Sequence, residues 1–193
     1  MNYAEIKYFD IANGEGVRTT LFVSGCTRGC PGCFNSGAWS FEAGKPFTRE
    51  VEDKIIESMA PDYVDGLTLL GGEPMEPQNQ EGLVAFVERV RERYPRGGGK
   101  TIWCFTGDTL DELMPGGRHR TEVTDRLLDC IDILVDGPWV QELYDISLRF
   151  HGSSNQRIID LNATRAQAAA QGVSLADAVC LWRDEEVYAT HSM

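Results

Sequence analysis

Short runs rich in β-branched and apolar residues alternate along the chain with stretches of helical periodicity, and this alternation constrains the fold more than any single residue does. Arg18 to Val23 (RTTLFV), Gly66 to Leu70 (GLTLL), Thr101 to Thr106 (TIWCFT) and Ile131 to Asp136 (IDILVD) read as buried strands. Between the first two, Val51, Ile55, Ile56 and Met59 recur at helical spacing behind Thr48 as N-cap, and Pro61 ends the pattern. Leu83, Phe86, Val87 and Val90 mark one face of a second helix, and helical material is expected between Asp108 and Asp129. Strands joined through helices need right-handed crossovers, so the expected fold is α/β with a mainly parallel sheet. Gln156 to Leu161 (QRIIDL) adds a last strand, Ser174 caps a short helix carrying Leu175, Val179 and Trp182, and the end of the chain is expected to be mobile.

Loops that follow parallel strands gather at their carboxyl ends, where α/β folds place their sites. The segments after Val23, Leu70, Thr106 and Val135 are therefore expected to face one another, and each is unusual: a cysteine cluster, GGEP, TGD and DGPW. A chain of 193 residues suffices for one domain with a sizeable core. Met1 to Asp10 carries charges and no continuous apolar run, so neither a signal peptide nor a membrane anchor is expected, and the cytoplasm is the expected location. A formal net charge of −12 opposes attraction to phosphate backbones and argues against a nucleic-acid substrate.

Three of the six cysteines fall within GCTRGCPGCFN, with the spacing C-x3-C-x2-C, whereas Cys104, Cys130 and Cys180 sit singly in apolar segments. Crowding of this kind suits a metal better than a disulfide framework, and the isolated three read as small buried hydrophobes. A structural zinc site and the cubane cluster of a simple electron carrier each take four protein ligands. Cys26, Cys30 and Cys33 supply three thiolates, which leaves one metal position open to a substrate. Gly25, Gly29 and Gly32 allow the positive φ angles a wrapping loop needs. The spacing alone leaves a second reading open, a zinc knuckle completed by His119 or His151. GGEP read by itself is a tight turn with an exposed Glu; beside the cysteine loop, its glycines let carbonyls approach an ammonium group and Glu73 adds negative charge.

A C-x3-C-x2-C loop after one strand and GGEP after the next resembles the radical S-adenosylmethionine superfamily, and the chain is more closely similar to the anaerobic ribonucleoside-triphosphate reductase activating proteins. The resemblance runs over roughly residues 1–160 and is carried by MNY at Met1 to Tyr3, DIANGEGVR at Asp10 to Arg18, LFVSGCTRGCPGCFN at Leu21 to Asn35, and Trp39. It continues through KPFT at Lys45 to Thr48, LGGEPMEPQN at Leu70 to Asn79, IWCFTG at Ile102 to Gly107, LVDGPWVQ at Leu134 to Gln141 and GSSNQRIIDL at Gly152 to Leu161. The chain departs from the family pattern at Glu15, where Pro is frequent, at Leu70, where a small hydroxyl residue is, and at Asp108, where an aromatic is.

The resemblance implies a partial, open (β/α) barrel over 1–162, followed by an extension over 163–193 that is helical in part. It also implies a [4Fe-4S] cluster on Cys26, Cys30 and Cys33, with S-adenosyl-L-methionine chelating the open iron. One electron then splits a carbon–sulfur bond, and the 5′-deoxyadenosyl radical takes a hydrogen atom from a glycine of the reductase large subunit. Gly32, Cys33 and Phe34 match the backbone beside the adenosyl portion, and Gly72 and Glu73 the loop that holds the methionyl amine. Asn13, Gly14, Asp136 and Gly137 are weaker candidates for the same mouth, as are Trp39, Trp103 and Trp139 for the radical path, where core packing is the commoner use of Trp. No acid or base side chain is assigned, since cluster and cofactor carry the chemistry. Flavodoxin or ferredoxin is the implied electron donor, and a homodimer is left open. Two other readings stand beside this one: the same chemistry on another glycyl-radical enzyme, a peptide or a small molecule, and a non-catalytic zinc-binding module.

Overall fold

The structure, a computed structural model, describes residues 1–182. Seven strands form one open sheet: β1 (Asn2–Asp10), β2 (Arg18–Val23), β3 (Lys45–Pro46), β4 (Gly66–Gly71), β5 (Thr101–Phe105), β6 (Ile133–Asp136) and β7 (Arg157–Asp160), in the order β3-β1-β2-β4-β5-β6-β7. The four central strands β2, β4, β5 and β6 are parallel. At the edges, β1 pairs antiparallel with β2 and β3, and β7 with β6, so the expected parallel sheet describes the centre of the molecule. Helices α1 (Arg49–Ser58), α2 (Pro77–Arg93) and α3 (Thr124–Cys130) form the crossovers, and α4 (Leu161–Gln171) follows β7.

Strands in a parallel sheet are covered on both faces, and β2 is buried at every position. Leu21, Leu67, Ile102 and Leu134 point to the face that carries the helices, where they join Ile55 of α1, Phe86 of α2 and Leu127 of α3 in one core. Each such side chain contributes about 1.5–3 kcal/mol on burial. All three crossover helices thus lie on the same face. Alternate strand residues point the other way. There Trp103, Ile133 and Val135 make a smaller cluster with Phe105, Phe150, Ile158 and Trp182. Arg18 is buried on this second face, satisfied by Thr68 Oγ1 at 2.7 Å and by the carbonyls of Leu67 and Thr101.

Several elements differ from the sequence reading. β1 was not expected: its alternation, Ala4-Glu5-Ile6-Lys7-Tyr8, is short and falls mostly on exposed residues, with Tyr3 and Ile6 against the core and the backbone paired with β2. The span from Asp108 to Asp129 breaks into a 3-10 turn at Leu110–Leu113 and the short α3, with Pro115-Gly116-Gly117 between them. The unpredicted α4 has its N-terminal amides at Asn162 and Ala163 capped by Asp160, and ends at Gly172 in the left-handed region at φ 67°. It runs across residue 162. In place of a helix reaching Trp182, Ser174 leads into a 3-10 turn at Ala176–Ala178, and Trp182 stacks edge-on against Trp103 at 5.4 Å. The expected mobile end lies in residues 183–193, outside the described residues. Among the described residues no helix is long and apolar enough to cross a membrane.

Candidate active site

The loops after β2, β4, β5 and β6 meet at the carboxyl ends of the sheet around a cavity of about 880 Å³. Cys26, Cys30 and Cys33 line it from the first loop, Gly72 and Glu73 from the second, Thr106 and Gly107 from the third, and Gly137 and Trp139 from the fourth. The expectation that these four segments face one another is met. Gly32 and Phe34 also line the cavity, Phe34 with 87% of its surface exposed. The cysteine loop takes left-handed backbone at Gly25, Gly29 and Gly32, with φ of 100°, 61° and 69°.

The GGEP turn lies directly against this loop. Gly72 N–H donates to Val23 O at 2.7 Å and Glu73 N–H to Gly25 O at 2.9 Å. A Cβ on Gly72 would stand 2.4 Å from the Gly25 carbonyl oxygen, so the close approach requires glycine. Asn79, fully buried in the first turn of α2, clamps both segments by donating to the carbonyls of Ser24 at 3.1 Å and Glu73 at 2.9 Å.

Glu73 is buried, and its oxygens accept from the amides of Met75 at 2.9 Å and Gly107 at 2.7 Å. Burial and the neighbouring Asp108 carboxylate push it up to about 7 in spite of those bonds. The residue expected to offer negative charge to a ligand therefore also ties the GGEP turn to the TGD loop. Burial likewise pushes the Cys26 thiol up, and the Glu73 and Glu76 carboxylates add to the shift.

The three thiols share one cavity and no disulfide. Among the described residues no three His, Cys, Asp or Glu side chains stand together as a finished metal site. The donor set nevertheless suits an iron–sulfur group: soft sulfur ligands on a glycine-rich loop, and beside them Asn35 Nδ2, buried in the cavity wall without a hydrogen-bond partner. His119 does not complete a zinc knuckle, because its Nδ1 meets Asp108 Oδ2 at 2.6 Å and its Nε2 lies 3.8 Å from Glu76. His151 lines the cavity with its Nδ1 against the Arg149 carbonyl at 2.8 Å.

The weaker candidates divide. Asn13 and Gly137 line the cavity, whereas Asp136 is taken up by Arg157 and the Leu110 amide, and Gly14 lies against Arg18 and Trp103. Trp39 and Trp139 line the cavity, with Trp139 Nε1 donating to Pro31 O at 2.9 Å, while Trp103 belongs to the cluster on the sheet. The sequence reading gave Arg28 no part and noted Asp108 only as a departure from the family pattern. In the structure these two form a buried ion pair that joins the first loop to the third.

The class is a 4Fe-4S single cluster domain, whose family model matches residues 12–159. The chain belongs to the anaerobic ribonucleoside-triphosphate reductase-activating proteins: it is 44% identical to those of Salmonella typhimurium and of Escherichia coli K12 over 158 residues, 81% of this chain and 96% of each relative. The protein of that name from Enterobacteria phage T4 is 35% identical over 158 residues, 82% of this chain and 93% of its own length.

Proposed function

We propose that the chain is an activating enzyme that reductively cleaves S-adenosyl-L-methionine at a [4Fe-4S] cluster and generates a glycyl radical on the large subunit of anaerobic ribonucleoside-triphosphate reductase. The observation that carries this reading is that Cys26, Cys30 and Cys33 line the same cavity as Gly72 and Glu73. Cys26, Cys30 and Cys33 would hold the cluster. Cluster and S-adenosylmethionine, when bound, supply the electron and the radical chemistry. The chain's own residues bind and orient. The backbone at Gly32, Cys33 and Phe34 would border the adenosyl portion, and the turn at Gly72 and Glu73 would receive the methionyl amine. The reading requires no side chain to act as acid or base.

The finer architecture belongs to the same proposal: a partial (β/α) barrel of the radical S-adenosylmethionine type over 1–162, with 163–193 as an extension. Same-sided crossover helices and central strands adjacent in chain order support it. The exposed Phe34 at the cavity wall suits a macromolecular substrate entering from solvent. Flavodoxin or ferredoxin as donor, a cytoplasmic location and a homodimer complete the reading. The test mixes the reconstituted protein with the reductase, S-adenosylmethionine and a reductant without oxygen. A glycyl radical signal by electron paramagnetic resonance is expected. Formation of 5′-deoxyadenosine without that signal would redirect the activity to another target, and absence of both overturns the proposal.

A further inference from the structure

We infer that Arg28 is a positioning residue: together with Thr27 it latches the cysteine loop onto buried carboxylates of the two neighbouring loops, fixing the backbone from which Cys26 and Cys30 present their thiols. The inference rests on the cluster-binding reading of those cysteines. Residues 27 and 28 lie between the first two candidate ligands. The Thr27 amide and hydroxyl both donate to Glu76 Oε1 at 2.6 Å. The Arg28 guanidinium, 10% exposed, pairs with the fully buried Asp108 carboxylate. Its Nε stands 3.5 Å from Glu73 Oε2, an ion pair without hydrogen-bond geometry.

The anchors are themselves held in place. His119 lies between Asp108 at 2.6 Å and Glu76 at 3.8 Å, so both halves of the latch close on one buried cluster. The Asp108 carbonyl accepts from Gly137 N–H at 2.9 Å, which brings in the loop after β6. Gly107 makes room for the guanidinium, since a Cβ there would stand 2.5 Å from Arg28 Cδ and Nε. Without Arg28 the buried Asp108 carboxylate keeps His119 but loses the guanidinium that ties it to the cysteine loop, so the loop is released from its anchor. Arg28 also lines the cavity shared by the three cysteines, so its positive charge would favour the reduced state of a cluster held there.

The test is amide hydrogen exchange on the metal-free full chain, comparing wild type, Arg28→Gln and Arg28→Lys. Exchange over residues 26–33 should be at least tenfold faster in Arg28→Gln, with the amides of β4 and β5 unchanged, and Arg28→Lys should recover part of the protection. In the reconstituted proteins, Arg28→Gln should lose iron to a chelator at least tenfold faster and show a more negative cluster midpoint potential, which a purely structural role would leave in place. If Arg28→Gln loosens the sheet as well, the double variant Arg28→Gln/Asp108→Asn, which removes both charges of the pair, carries the same expectation for residues 26–33. Exchange there within twofold of wild type overturns the latch whatever the reductase assay gives. Loss of glycyl radical formation with the latch intact counts against the proposed function alone.

Discussion

Two buried carboxylates at opposite ends of the sheet are held in opposite ways. At the amino ends, Asp132 accepts from Ile102 N–H at 2.8 Å, Arg96 Nε at 3.2 Å, Asn162 Nδ2 at 3.1 Å and Arg91. Burial alone would push it up, but the bonds from Arg91 and the Ile102 amide outweigh burial and hold it below the usual carboxylate range. At the carboxyl ends, Glu73 has two amides, the Arg28 Nε at 3.5 Å without hydrogen-bond geometry, and the like-charged Asp108; burial and that neighbour win, and it rises to about 7. One end of the sheet neutralises its charge and so secures the fold. The other gathers carboxylates beside a cavity, the environment that marks a functional site.

The sharpest way to break this contrast is Cys30→Ala, which should abolish iron binding and S-adenosylmethionine cleavage while leaving the urea midpoint of the metal-free chain in place. Asp132→Ala should do the reverse. It strands Arg91 and should cost about 3–5 kcal/mol in urea unfolding, while the folded fraction still takes up iron. Similar stability losses at the two positions would erase the distinction between the ends.

pH sharpens the comparison further. A carboxyl raised in the folded state stabilises fully below its unfolded pKa and loses that contribution as pH rises through the folded value. For Glu73 the window runs from its ordinary 4.5 to about 7. Between pH 5 and 8, metal-free wild type should therefore lose stability relative to Glu73→Gln, by at most about 3 kcal/mol. A pH-independent difference between the two would mean that the charge at Glu73 is compensated after all. Asp132 has the opposite sign: its contribution is present above the unfolded value of about 3.9 and disappears as pH falls through its lowered folded value. The smallest effect should come from Cys180→Ala, whose partly exposed thiol lies away from the cavity. It should shift stability by no more than about 0.5 kcal/mol and leave iron content unchanged.

Much of the site was legible because the signals were local. The helical faces at Ile55 and Phe86 and the buried runs at Leu21 and Leu69 are written in short periods, and all four are core residues. α4 was legible too and went unread: Asp160 as N-cap and Gly172 past the end are ordinary boundary signals around an alanine-rich segment. β1 carried a weaker signal, the short alternation Ala4-Glu5-Ile6-Lys7-Tyr8, and its place in the sheet depends on backbone bonds to β2 together with Tyr3 and Ile6 against the core.

By itself, the sequence determined the alternation of strand and helix, the three thiols on one loop and the four loops that would share an edge, because spacing and glycine placement act over a few residues. Tertiary structure alone decided which side chains of those loops meet. Arg28 finds Asp108 across 80 residues, and Thr27 finds Glu76 across 49. An ion pair between distant positions has no periodicity to betray it, and the burial that makes Asp108 need its partner exists only after the sheet has formed.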